Sequence, residues 1–436
     1  MSSRLPHRPS TPAPPVPNVR AVPAVTPVGQ PSRPVTGALV LDLIRTAGTI
    51  SRVELASRSG FTAATITNVV RDLIAEGLVH EVGRARSRGG TPRRLLELDR
   101  TALYAVGVQL DRCTSAIVVT DFAGRRVAAT SLRGVGRGAP GETLRTLADH
   151  VEDLLASAAV PRARVLGVGL VTHGPQDRER GVILTPQPTP AWQDFPLTAT
   201  LADLLGMPVL LENDATAAAV GEQWVGSLDV DTFGVLYMAS GIGGGVVVGS
   251  EVYRGRTANP VEIGHVPLDP RGPACSCGNA GCTESLAGPS AVVARAGADP
   301  GLRDRLRMSG DADDVLADFE RVARAAARGD QDARHLLEDS ARHLGTAAVT
   351  LMNLFDLDTV VLAGPAFATA GPLYVDLAQR AVERGALARL LRPVRVRLST
   401  DVGAAAAVGG ALVVLRSPLG RPAARESAGE VLPALV

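Results

Sequence analysis

The chain has 436 residues, 45 basic side chains against 44 acidic ones, and a formal net charge of +1. That length is enough for two or three domains with a sizeable core, and the absence of any run of about 18 apolar residues argues against a transmembrane helix. No apolar signal core lies near the N-terminus, which points to a cytoplasmic protein, and all 45 basic residues are arginine, so no lysine can grip a phosphate.

The charge is unevenly spread: residues 1–100 carry +7 and the remainder −6. A basic front end on an acidic body is what a nucleic-acid-binding segment attached to a sensor or enzyme would give. Residues 1–35, rich in Pro, Ser, Thr and Val, show no period and bury too little apolar surface to offset ordering, so they are expected to be disordered.

From residue 36 to about 100 the pattern changes. Leu39, Val40, Leu43 and Ile44 recur with helical spacing. Ser51 and Glu54 have the spacing of a capping box for a second helix, which carries Val53, Leu55 and Ala56 inward and stops near Gly60. Thr62 caps a third helix with a buried stripe of Ile66, Val69, Val70, Leu73 and Ile74. Two strands from Gly77 and Leu95 flank a loop carrying Arg84, Arg86, Arg88, Arg93 and Arg94. Two short helices joined at a glycine, followed by a basic hairpin, read as a winged helix-turn-helix that binds operator DNA. Thr62, Ala63, Thr65, Thr67 and Asn68 are the base-reading candidates on the exposed helix face. The loop arginines are the phosphate or minor-groove candidates.

After residue 100, strand-like runs alternate with helices, as expected for an α/β body over residues 101–418 with covered sheets. The runs include Ala105–Leu110, Ala116–Thr120, Val165–Val171, Val209–Leu211, Phe233–Met238 and Thr359–Ala363. A glycine-rich loop is expected at Ser240–Gly245, and residues 419–436 have no period and are expected to form a flexible tail. His265, Cys275, Cys277 and Cys282 supply one imidazole and three thiolates, a closed tetrahedral set for a structural Zn2+. A disulfide would leave one clustered thiol unpaired.

The zinc cluster, the segment Glu212-Asn-Asp-Ala215 and the stretch Ser240-Gly-Ile-Gly-Gly-Gly245, in this order, resemble the ROK family of sugar kinases and sugar-responsive repressors. The resemblance implies a two-lobed, actin-like ATPase (ribonuclease H-like) body, and the winged module ahead of it suits the regulator branch. It also implies that Asn213, Asp214, Glu262, His265 and Glu284 contact a sugar or sugar derivative, with Asp214 as the base in the kinases. The family's phosphate loop Asp-x-Gly-Gly-Thr is here Gln109-Leu110-Asp111-Arg112-Cys113, and a second nucleotide-facing turn reads Ala363-Gly364-Pro365. Side chains in place of glycines, and a proline in place of a donor, do not suit a nucleotide phosphate. The sequence therefore predicts a regulator, a homodimer or homotetramer without catalytic residues. The alternative is a glucokinase-like enzyme with an appended DNA-binding domain, in which Asp214 is catalytic.

Overall fold

The computed structural model describes residues 33–84, 93–225, 228 and 230–417. The front of the chain forms α1 (Arg33–Ala47), β1 (Ile50–Ser51), α2 (Arg52–Ser59), α3 (Ala63–Ala75), β2 (Val79–Arg84) and β3 (Arg94–Leu98). Ser51 and Glu54 form the expected reciprocal capping box, each satisfying a backbone N–H of the other, and Gly60 ends α2 in the left-handed region at φ 73°. Thr62 caps α3 by accepting the Thr65 N–H. Helix α1 begins at Arg33, slightly before the expected boundary at residue 36; residues 1–32 lie outside the described residues.

One expectation fails in this module. Val53 is 54% exposed, and Leu55 alone of α2 is fully buried. An eight-residue helix has room for only a narrow apolar stripe, and the capping box fixes its rotation with Val53 outward. Leu55 joins Val40, Ile44, Ile66, Val70, Leu73 and Leu96 in one cluster. That cluster does not stop at residue 100. It runs on through Leu103, Ala105, Val118, Phe122 and Leu412, so the module shares a core with the body.

The body has two halves. The first contains β4 (Tyr104–Leu110), β5 (Thr114–Asp121), β6 (Arg126–Arg133), α4 (Pro140–Ser157), β7 (Val165–Thr172), the short pair β8 (Gln176–Asp177) and β9 (Val182–Ile183), α5 (Leu197–Leu205) and β10 (Val209–Asn213). Helix α6 (Asp214–Trp224) leads into the second half. There follow β11 (Phe233–Met238), β12 (Ile242–Val248), β13 (Glu251–Val252), α7 (Thr283–Ala287), α8 (Pro289–Gly297), α9 (Pro300–Leu306), α10 (Val315–Ala327), α11 (Gln331–Phe355), β14 (Thr359–Ala363), α12 (Phe367–Gly385), β15 (Arg395–Leu398) and α13 (Ala405–Arg416).

The two five-stranded sheets have the same topology. Their orders are β6-β5-β4-β7-β10 and β13-β12-β11-β14-β15. In each, the first three strands pair antiparallel and the last two add in parallel beside the first. Between the sheets run α6 and α13, whose alanine and glycine content has a packing reason. A Cβ built on Gly409 would lie 1.7 Å from the Ala217 carbonyl oxygen, so the two helices meet backbone to backbone. Larger residues there would force the halves apart. Among the described residues, no helix is long and apolar enough to cross a membrane.

The expected glycine loop at 240–245 is corrected by the structure. Ile242–Val248 is strand β12, paired along β11, and its glycines lie within a ladder. Their role is close approach. A Cβ on Gly243 would sit 2.9 Å from that of Ala215, one on Gly245 2.5 Å from the Ala215 carbonyl, and one on Gly241 2.4 Å from a Glu284 carboxylate oxygen.

Candidate functional site

The carboxyl ends of β4, β7, β10 and β11 converge on one cleft, the place where open α/β sheets bind ligands. Asn213 closes β10 and caps α6, its Oδ1 accepting the Thr216 N–H at 3.1 Å. Asp214 follows as the first helical residue, its Oδ1 accepting the Ala215 N–H at 2.7 Å. Burial in the cleft lifts the Asp214 carboxyl to about 7, and the neighbouring charges of Asp111 and Glu262 add to that rise. Glu262 is also raised, first by burial and then by Glu284, with His265 opposing. Glu284 is held in place by the Ile242 N–H at 2.8 Å. The structure thus brings Asn213, Asp214, Glu262 and Glu284 to one acid-rich wall, with β12 as its spine.

Residues that the sequence reading left out join this wall. A Cβ built on Gly174, just after β7, would lie 3.2 Å from Asn213 Nδ2, 3.3 Å from Glu262 Oε1 and 3.4 Å from Asn259 Oδ1. A side chain at this position would press on all three polar groups. His173 precedes it, its Nε2 3.4 Å from Thr185 Oγ1. Neither His173 nor Asn259 sits in a recognisable motif, and no local signal marks them.

His265 and the three cysteines form the second feature. One ligand atom from each of His265, Cys275, Cys277 and Cys282 lies within 4.8 Å of the others. The Cys277 and Cys282 sulfurs are 3.7 Å apart, and Cys275 Sγ is 3.6 Å from His265 Nδ1. A tetrahedral zinc with ordinary Zn–S and Zn–N lengths would set these edges at roughly 3.8 and 3.6 Å. The four residues can therefore hold a metal ion, with His265 ligating through Nδ1. Its Nε2 then lies on the far side of the ring, free for a contact outside the cluster.

The other side of the cleft is filled by contacts within and between the halves. Gln109 Nε2 donates to the Tyr237 hydroxyl at 2.5 Å, both side chains being buried. Asp111 accepts the Cys113 N–H at 2.9 Å and the Ser240 hydroxyl at 2.5 Å, so its charge caps its own loop. Arg112 pairs with Asp313 at 2.8 Å. The Gly364 N–H, beside Pro365, is spent on the Val402 carbonyl at 2.9 Å. Cys113 is buried and its thiol is pushed up to about 11 by burial, as suits an inert apolar group.

On the N-terminal module, Thr62, Ala63, Thr67 and Asn68 are exposed, while Thr65 is half-buried with its hydroxyl 2.9 Å from that of Thr62. Thr67 donates its hydroxyl to the Ala63 carbonyl. Arg71, overlooked in the sequence, shares this face, 66% exposed and paired with Asp72. Arg93 is exposed, and Arg94 pairs with Glu81. Arg86, Arg88 and the side chain of Arg84 lie outside the described residues.

Residues 106–417 match the ROK family. The chain belongs to the ROK family. A xylose repressor of Caldicellulosiruptor bescii is 26% identical over 394 residues, covering 89% of this chain and 98% of its own. The crystal structure of a ROK family transcriptional regulator, a homolog of the E. coli MLC protein, superposes with a TM-score of 0.69 at 26% identity, over 88% of this chain and 96% of that one. A ROK family glucokinase from Streptomyces griseus, in complex with glucose and AMPPNP, gives 0.60 at 27% identity, over 72% of this chain and 100% of that one. The ROK glucokinase thus matches a share of the chain about equal to the body. The likeness to the ROK regulator is longer than the body and extends into the N-terminal module.

Proposed function

We propose that this ROK protein is a sugar-responsive transcriptional repressor and not a kinase. Residues 36–100 are read as a winged helix-turn-helix, with α3 in the major groove and the β2–β3 loop as the wing. The observation that carries this reading is the contrast between the two sides of the cleft. The acid wall of Asn213, Asp214, Glu262 and Glu284 gathers carboxylates and an amide of the kind that bind a polyol. The opposite side, where a nucleotide needs backbone donors and space, is occupied by Arg112–Asp313, Gln109–Tyr237 and Gly364–Val402. Carboxylates and amides suit paired hydroxyls, and a misplaced hydroxyl leaves one of them unsatisfied.

His265, Cys275, Cys277 and Cys282 are assigned to a structural zinc. When bound, it would tie the segment carrying Glu262 and His265 to the start of α7, where Glu284 stands, so the cluster would stiffen one corner of the sugar wall.

Helix α6 offers the route from ligand to DNA module. It starts at Asp214 and ends at Trp224, against which Arg45 of α1 stacks. Beside this contact a groove of about 1350 Å³ runs between α1 and the body, bordered by Arg254 and Asn259 from the loop that leads to the acid wall. A sugar that shifts α6 or this loop would move α1, and with it α3, relative to a partner module in a homodimer or homotetramer on an operator with repeated half-sites. The test is a mobility-shift titration of operator DNA with and without D-xylose, D-glucose and N-acetyl-D-glucosamine, alongside a coupled ATP-consumption assay. The expected result is salt-sensitive DNA binding altered by one sugar, and no ATP turnover. Turnover lost on Asp214→Asn would overturn the reading in favour of the kinase.

A further inference from the structure

The acid wall supplies acceptors in excess. Asp214, Glu262 and Glu284 carry no donor when ionised, yet a sugar hydroxyl oxygen needs donors as well as acceptors around it. The amides in reach are largely committed. Asn259 donates to the Gln176 and Thr257 carbonyls at 2.8 and 2.9 Å and accepts the Gln176 N–H at 2.7 Å, which commits both of its donors. Asn213 spends its oxygen on the cap of α6 and keeps only Nδ2 toward Gly174.

Beside the one donor group left on Asn213, His173 can supply another. It is the first residue past β7, directly before Gly174, whose Cα is flanked by Asn213, Glu262 and Asn259. Its Nε2 lies 3.4 Å from the Thr185 hydroxyl, and among the described residues Nδ1 has no protein hydrogen-bond partner. Burial lowers its pKa against the pull of Asp111, so the ring is neutral, with one donor and one acceptor nitrogen.

We propose that His173, oriented by Thr185, is a specificity-determining residue that hydrogen-bonds one hydroxyl of an uncharged aldose bound against Asp214 and Glu262. The charges nearest Asp214 are acidic, which disfavours a phosphorylated sugar at this wall. The proposal rests on the reading of this cleft as the sugar site.

Calorimetry on the full chain with D-xylose, D-glucose, N-acetyl-D-glucosamine and D-glucose 6-phosphate tests it, with circular dichroism as a folding control. The wild type is expected to bind an uncharged sugar and to bind the phosphate ester more weakly, and D214N to abolish binding. H173A should weaken the preferred sugar by roughly 10–100-fold and compress its advantage over the next sugar toward one. H173Q, which keeps a donor and an acceptor, should recover part of both, and T185V should show a smaller loss. Affinities and ranking unchanged in H173A, with binding lost in D214N, would overturn the His173 assignment and leave the sugar site standing. Uniform weakening of every sugar in H173A, without rescue by H173Q, would mark a structural role and overturn it too. Absence of sugar binding in the wild type, or indifference to D214N, would overturn the site reading itself and this assignment with it. A preference for the phosphate ester would overturn the uncharged class.

Discussion

The guanidinium of Arg45 lies 4.0 Å over the indole of Trp224 and donates a hydrogen bond to that residue's carbonyl oxygen at 3.1 Å. Trp224 is further held from behind, its Nε1 donating to the Ala123 carbonyl at 3.1 Å in the turn between β5 and β6. One end of α6 is thus gripped by the N-terminal module, and the other end carries Asp214. Arg45→Ala should remove about 1 kcal/mol of stacking and leave the fold intact. We expect DNA binding to persist while the sugar-dependent change in operator affinity falls at least about fivefold, the scale of a modest coupling energy. A mobility-shift titration with and without sugar reads this, and an unaltered sugar response would place the coupling elsewhere.

Asp214 makes a pH prediction. Its folded-state carboxyl sits near 7 against an ordinary 3.8, raised by burial and by the facing charges of Asp111 and Glu262. A raised acid favours the protonated fold, so this group's contribution to stability is complete below about pH 4 and is lost as pH rises through about 7. A sugar hydroxyl donating to the carboxylate needs the ionised form. Sugar affinity should therefore climb over the same interval, with a proton released on binding just below pH 7. Calorimetry in two buffers of different ionisation enthalpy measures that proton, and Asp214→Asn should abolish it.

If the cluster holds the proposed zinc, Cys282→Ser should remove it, measured as loss of one metal per chain by elemental analysis. The melting temperature should fall, and sugar affinity should drop on the order of 10–100-fold because Glu262, His265 and Glu284 lose their common anchor. Full sugar affinity in a metal-free chain would show that the cluster only stabilises the fold.

The proposed DNA contacts separate by type. Asn68→Ala, on the exposed face of α3, should relax preference at one base pair by about 1–3 kcal/mol. Arg93→Ala should weaken all sequences alike and reduce the salt slope by about one. A binding-site selection experiment across salt concentrations distinguishes the two. Arg94, paired with Glu81, should matter less than Arg93.

Much of this was legible along the chain because the interactions concerned are short in sequence. Ser51 and Glu54 cap a helix three residues apart, and three thiols within eight residues plus a nearby imidazole leave few alternatives to a metal site. The inner strands β4, β5, β7, β10, β11 and β14 announce themselves as apolar runs, whereas the half-exposed β6 and the short β13 and β15 do not. Val53 was misread because periodicity over eight residues does not fix which way a short helix turns, whereas the cap does.

The tertiary structure decided everything that depends on distant partners. The glycines at 241–245 are consistent with a phosphate loop until β12 is seen lying against Ala215 and Glu284. Arg112 reads as an obstacle to ATP, but its reason is Asp313, 201 residues away. Arg45 and Trp224 are 179 residues apart, and Gly174 comes beside Asn213 only because β7 and β10 pair in parallel. Local sequence carries capping, periodicity and ligand chemistry, since those forces act within a turn or two of backbone. Which acid, ring or carbonyl a side chain meets is set by sheet order and helix crossing, through forces that act between segments far apart in the chain.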